Sequence, residues 1–154
     1  MSIQERLKQL DLELPPAPKP VGNYVPAVRT GRLIFTSGQL PMREGVLIEH
    51  GLVPGEVPLE KAAAAARQAA LNALAILSAE AGGLDNIVRI VRLNVFVASS
   101  HGFIEQAVVA NGASELLVQV FGDAGKHTRC AVGVAELPLG APVELDIIAE
   151  MRGD

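Results

Sequence analysis

The stretch GKHTRCAVGVAELPLGAPVELDIIAEM, residues 125–151, carries the alternation on which the fold turns. Its second half is a strand pattern, with Val143, Leu145, Ile147 and Ala149 alternating with Glu144, Asp146, Ile148 and Glu150. Such period-two spacing gives a β-strand two chemically different faces. Its first half is also a strand, ending at Leu137-Pro138 and joined onward through Leu139-Gly140-Ala141. There Arg129, Ala131, Gly133 and Ala135 fall on one side, and Cys130, Val132 and Val134 on the other. Val132 and Val134 predict that the second side packs into the core, with Cys130 as one more packing residue. Arg129 then faces the opposite way. Ala131 and Gly133 beside it predict open space next to a guanidinium.

Upstream, residues 86–99 (NIVRIVRLNVFVAS) form a long strand, reading Val91, Leu93, Val95 and Val97 against Val88, Ile90, Arg92, Asn94 and Phe96. The alanine-rich segment 57–84 starts at Pro58 and stops at Gly82-Gly83, a helix with recognisable ends. Its inner face, Ala62, Ala66, Ala69, Ala70, Ala73, Leu74 and Leu77, is small enough to lie close on a sheet. A second helix covers at least residues 113–121, with Asn111-Gly112 as a break or entry point. Two strands, at 24–31 and 32–41, meet at a Thr30-Gly31 hairpin turn, and a weaker strand is expected at 45–52. Ser2 and Glu5 form a capping-box pattern for a short helix at 3–10. Pro15, Pro16, Pro18 and Pro20 then make an extended arm that wraps rather than packs.

The order β-β-(β)-α-β-α-β-β predicts an α+β fold, a mixed sheet of about six strands with two helices on one face. Residues 1–20 form the helix and proline-rich arm, and 21–154 a single domain. The sheet's other face mixes apolar and charged residues. That suits a surface buried between subunits and lining a polar cleft, the alternative being an ordinary solvated face.

With 13 Lys and Arg against 17 Asp and Glu, the net charge is −4, and the chain has no Trp and one Tyr. This lacks the basic, aromatic surface of nucleic-acid binders. No run of apolar residues is long enough to predict a membrane span, and the mixed-charge N-terminus is not a signal peptide, so the expected compartment is the cytoplasm. His50, His101 and His127 have no ligand spacing with Cys130, which predicts no metal, and the glycines match no nucleotide loop. Ser37, Ser99, Ser114 and Cys130 are nucleophile candidates without a local hydrolase signature. Arg129 has two readings of equal weight: a fork holding a small carboxylate, or an ion pair with Glu144 or Asp146.

The segments YVPAVRTGRLIFTSGQLP, VRLNVFV and TRCAVGVAELPLGAPVELDIIAEM together resemble the YjgF/RidA family of reactive-intermediate (imine) deaminases, over residues 21–151. The resemblance implies a bacterial chorismate mutase-like fold and a homotrimer with clefts between subunits. It also implies cofactor-free hydrolysis of 2-imino or enamine acids to 2-keto acids. The implied catalytic residues are Arg129 on the substrate carboxylate, Glu144 on the attacking water and Tyr24 in the cleft. Gly38, Ser37, Asn111 and Ala131 are the implied substrate-binding positions. The family's cysteine, two residues past the arginine, is Ala131 here, with the thiol displaced to Cys130. The segment 99–114 is about four residues longer than the family pattern, which marks a divergent subgroup. Competing functions are a non-catalytic carboxylate-sensing trimer and, third, an endoribonuclease.

Overall fold

The computed structural model describes residues 1–18 and 23–153. The proposed arm's last proline, Pro20, and the 20/21 boundary lie outside them. Helix α1 (Ile3–Gln9) opens with the capping box: Ser2 Oγ accepts from the Glu5 amide, and the Ser2 amide donates to the Glu5 carboxylate. The hairpin β1 (Ala27–Thr30) and β2 (Leu33–Thr36) follows, turning at Gly31 with φ 58°. The weaker strand expected at 45–52 is instead a small separate hairpin, β3 (Met42–Arg43) and β4 (Val46–Leu47). Glu44 and Gly45, at φ 52° and 83°, form its turn, as a two-residue hairpin with both central residues left-handed requires.

Helix α2 (Leu59–Ala81) starts after Pro58 at its N-terminal boundary position and ends at left-handed Gly82. Strand β5 (Ile87–Ala98), helix α3 (Gln106–Phe121), strand β6 (Thr128–Val134) and strand β7 (Val143–Met151) complete the domain. The main sheet has five strands rather than about six, in the order β1-β2-β7-β5-β6. Its pairs are antiparallel except β5 with β6. Because β7 runs antiparallel to both β2 and β5, α2 and α3 each connect a pair of parallel strands, and both lie on one face.

The core forms where α2 and α3 cover Ile34, Leu93, Val95, Val97, Val143, Leu145 and Ile147, all fully buried. All seven residues assigned to the inner face of α2 are fully buried as well. α2 is long and apolar enough to cross a membrane by length and composition, yet 61% of its apolar window is buried within the domain. Its alanines have a second use, since α3 packs against it so closely that a Cβ on Gly112 would lie 2.7 Å from the Ala63 carbonyl carbon. Gly112 is therefore a contact point inside an unbroken helix rather than a break or entry.

One other expectation is corrected. In β5 register shifts between Ile87 and Arg89 and between Ile90 and Arg92 move Ile90 into the core and Val91 to the half-buried class. Ahead of the proline arm, Leu12 and Leu14 also pack against the core, which extends the N-terminal contact past α1.

Candidate functional site

β6 is an edge strand, and its register shows which of its faces the helices cover. Arg129 pairs with Leu93, Ala131 with Val95 and Gly133 with Val97, all three partners fully buried beneath the helices. Arg129, Ala131 and Gly133 therefore face α3, and Cys130 and Val132 are exposed on the bare side. The expectation that Cys130 and Val132 are core packing residues is reversed. Small residues on the Arg129 side allow α3 to close over it, so that side is not open either. A Cβ on Gly133 would meet Gln106 Nε2 at 2.8 Å and Ser99 Oγ at 2.9 Å.

Arg129 forms no ion pair among the described residues. Its Nη1 donates to Asn111 Oδ1 at 2.8 Å and to Ser114 Oγ at 3.1 Å, both on α3. These two acceptors sit three residues apart, on one helix face. No hydrogen bond among the described residues uses Nε or Nη2. That pair of donors is the geometry a carboxylate accepts bidentately. Ser114 also meets His127 Nε2 at 2.9 Å, and His127 Nδ1 lies 2.6 Å from the Gly125 carbonyl oxygen. In the sequence His127 stands two residues before Arg129 and Ser114 is a nucleophile candidate, but neither is given a role beside the arginine. The signal was available: residues 127 and 129 share strand parity, and 111 and 114 share a helix face.

A second group lies on the bare face. Glu144 pairs with Phe96 across β7 and β5, on the side opposite Leu145 and the helices. Gly38 backs onto it so closely that a Cβ there would overlap the carboxylate, reaching 3.0 Å from Glu144 Cδ. Burial, and then the neighbouring Asp146 charge, push the Glu144 carboxyl above its ordinary value. Asp146 itself accepts from Asn94 Nδ2 at 2.8 Å, and Asn94 Oδ1 accepts from Arg92 Nε at 2.9 Å.

Beside Gly38 is a recess of about 250 Å³ walled by Tyr24, Ser37, Gln39, Met42, Pro18 and Leu139. Tyr24 is 65% exposed and Leu139 72% exposed at its mouth. The Ser37 hydroxyl donates to the Val25 carbonyl at 2.6 Å, so it braces the entry to β1. Pro18, Gln39, Met42 and Leu139 were not foreseen as wall residues. Their elements meet only in the folded chain.

The candidate residues thus form two sets on opposite faces of one sheet. Arg129, Asn111 and Ala131 are on the helix side, and Glu144, Gly38, Ser37 and Tyr24 are with the bare side and its rim. Between them the bare face exposes Val28, Phe35 and Val132 and half-exposes Phe96 and Ile148. In cross-strand register Val28, Phe35 and Ile148 form one apolar row, and Phe96 and Val132 another. Among the described residues no three His, Cys, Asp or Glu side chains come together as a metal site.

A mixed sheet carrying two helices on one face is the architecture of a chorismate mutase-like α+β domain. The chain belongs to the family described as "YjgF/chorismate mutase-like, putative endoribonuclease", whose model matches residues 4–151. It is similar to protein TCP17 of Trypanosoma cruzi, 44% identical over 97% of this chain and 94% of that one. The 2-iminobutanoate/2-iminopropanoate deaminase of Escherichia coli K12 is 35% identical over 88% of this chain and 93% of its own. A crystal structure of an Agrobacterium tumefaciens protein of unknown function superposes with a TM-score of 0.91 at 46% identity, covering 97% of this chain and 92% of the other.

Proposed function

We propose that the protein is a cytoplasmic hydrolase of small 2-imino or enamine acids, acting in clefts shared between the copies of a homotrimer. The observation that carries this reading is the placement of Arg129 and Glu144. Within one chain they face opposite ways, so one small substrate cannot touch both. Stacking the bare face of one copy against the β6 edge of the next would bring one copy's arginine to the other's carboxylate. It would also cover the apolar rows. The similarity to a 2-iminobutanoate/2-iminopropanoate deaminase supports the substrate class.

The chemistry follows from these groups. The Nε and Nη2 edge of Arg129 holds the substrate carboxylate and fixes C2 beside Glu144. A protonated imine is already electrophilic, so positioning and proton transfer suffice. Glu144 takes a proton from water as the water oxygen bonds to C2 and the C=N π electrons move to nitrogen. The proton then passes to that nitrogen, the C–N bond breaks as the hydroxyl oxygen closes the C=O bond, and the hydroxyl's own proton passes to the Glu144 carboxylate and from there to ammonia or solvent. Products are a 2-keto acid and ammonia. A carboxyl raised above its ordinary value is better matched to giving and taking protons near neutrality.

The test is the decay of 2-iminopropanoate generated in situ by an amino-acid oxidase. Faster decay with the wild type, lost in Arg129→Ala and in Glu144→Gln, is the expected result. Saturable binding of a 2-keto acid without accelerated decay would replace the enzyme with a carboxylate-sensing protein.

A further inference from the structure

The Arg129 cluster contains a hydrogen-bond chain that the hydrolytic steps above do not use. A carbonyl oxygen only accepts, so the 2.6 Å contact from His127 Nδ1 to the Gly125 oxygen requires the proton on Nδ1. Nε2 of the neutral ring is then an acceptor, and the Ser114 hydroxyl donates to it at 2.9 Å. The same hydroxyl accepts from Arg129 Nη1 at 3.1 Å. With neutral His127 the only hydroxyl proton of Ser114 is committed to the imidazole.

Protonating His127 reverses this. Nε2–H becomes a donor, and Ser114 Oγ accepts from both His127 and Arg129, filling its two lone pairs. Its own proton is released from the ring, and the cluster gains one positive charge beside the unoccupied Nε and Nη2 edge of Arg129. We propose that His127 and Ser114 are positioning residues that set the anion affinity of Arg129, strengthening carboxylate binding when His127 is protonated. This rests on the reading of Arg129 as the carboxylate anchor.

The charged groups on the elements around His127 are Arg129 of β6, Lys126 and Asp123 paired at 2.8 Å, Arg89 and Arg92 of β5, the latter in register with Thr128, and Glu115 of α3. Arg89 donates to the Lys126 carbonyl at 3.2 Å. Histidine is the side-chain type among them whose ordinary titration falls between about pH 5 and 8. Glu144 has a raised carboxyl that would also favour anion binding at lower pH, so the measurement is made in the Glu144→Gln protein.

The probe is pyruvate, which stays ionised from pH 6 to 8, titrated calorimetrically at both ends of that range. Affinity about three- to tenfold tighter at pH 6 is expected, the effect of one added charge at a partly solvated site. His127→Gln should remove the slope and hold affinity near the pH 8 value. Ser114→Thr keeps the hydroxyl and should keep the slope, whereas Ser114→Ala should reduce it. A slope that survives His127→Gln, or none with His127 present, overturns the proposal. Pyruvate binding that persists in Arg129→Ala overturns the anchor reading beneath it, and no pyruvate binding to any of these proteins overturns both.

Discussion

Gly38→Ala separates the role of Glu144 from the stability of the fold. The new Cβ would overlap the Glu144 carboxylate and stand 3.3 Å from its Cγ. The obstructing atoms are the free end of a flexible side chain on a half-exposed surface, so the carboxylate swings aside and the backbone stays. The expected stability change is under about 1 kcal/mol, a melting shift of no more than about 4 °C for a chain of this size. In the proposed mechanism, however, the displaced carboxylate is the group that must meet water and C2 within hydrogen-bond reach. Losing its position should slow 2-iminopropanoate hydrolysis on the order of 10²- to 10³-fold, about 3–4 kcal/mol of barrier. The assay pairs the decay of oxidase-generated imine with a thermal melt of the same preparation. If the cause is displacement, Gly38→Ala combined with Glu144→Ala should be no slower than Glu144→Ala alone, since both remove the same group. A folded Gly38→Ala protein within threefold of wild type would refute the assignment of Glu144. A melt lowered by more than 10 °C would refute the packing argument.

Gly112→Ala should behave in the opposite sense, because the new Cβ meets the Ala63 backbone and α3 must move away from α2; a loss of about 2–3 kcal/mol in chemical denaturation is expected. Asn72→Ala should cost about 1–3 kcal/mol in the same measurement, since Asn72 Nδ2 donates to the Leu40 and Met42 carbonyls and holds the β3–β4 hairpin to α2. Glu144 holds its proton more tightly folded than unfolded, so its favourable contribution is present at low pH and lost as pH rises through its raised folded value. Glu144→Gln should accordingly be more stable than wild type at neutral pH, with the difference shrinking as the pH falls below the carboxylate range. Equal denaturation midpoints at pH 7, or a gap widening toward acid, would contradict that sign.

Much of the fold was legible because its signals are local. Pro58 and Gly82-Gly83 bracket α2, Ser2 and Glu5 cap α1, and strict alternation marks β7. What sequence left open was which face of β6 the helices cover. Alternation separates Arg129 from Cys130, but Val132 and Val134 look like core, and only pairing to Leu93, Val95 and Val97 shows the reverse. Small residues beside Arg129 could mean space for a ligand or space for a helix, and Gln106 shows that the helix takes it. Ile90 and Val91 exchanged roles because a bulge slips the register, and a bulge leaves little trace in composition. Among the candidate residues, Arg129, Glu144, Tyr24 and Gly38 are put forward by their motifs. Ser114 and His127 belong to no such motif, and their link to Arg129 came only from the contact geometry, as did the recess wall of Pro18, Gln39, Met42 and Leu139.

Subunit complementation tests the shared cleft most directly. Arg129→Ala and Glu144→Ala proteins would be dissociated, mixed in equal amounts and reassembled, and 2-iminopropanoate decay measured against each alone. If every site takes its arginine from one copy and its carboxylate from the next, random assembly gives intact sites at about one quarter of positions, whatever the ring size. The account predicts two inactive proteins whose mixture recovers about a quarter of wild-type activity. A reassembled mixture as inactive as its parents would contradict it, because Arg129 and Glu144 would then have to serve from the same chain.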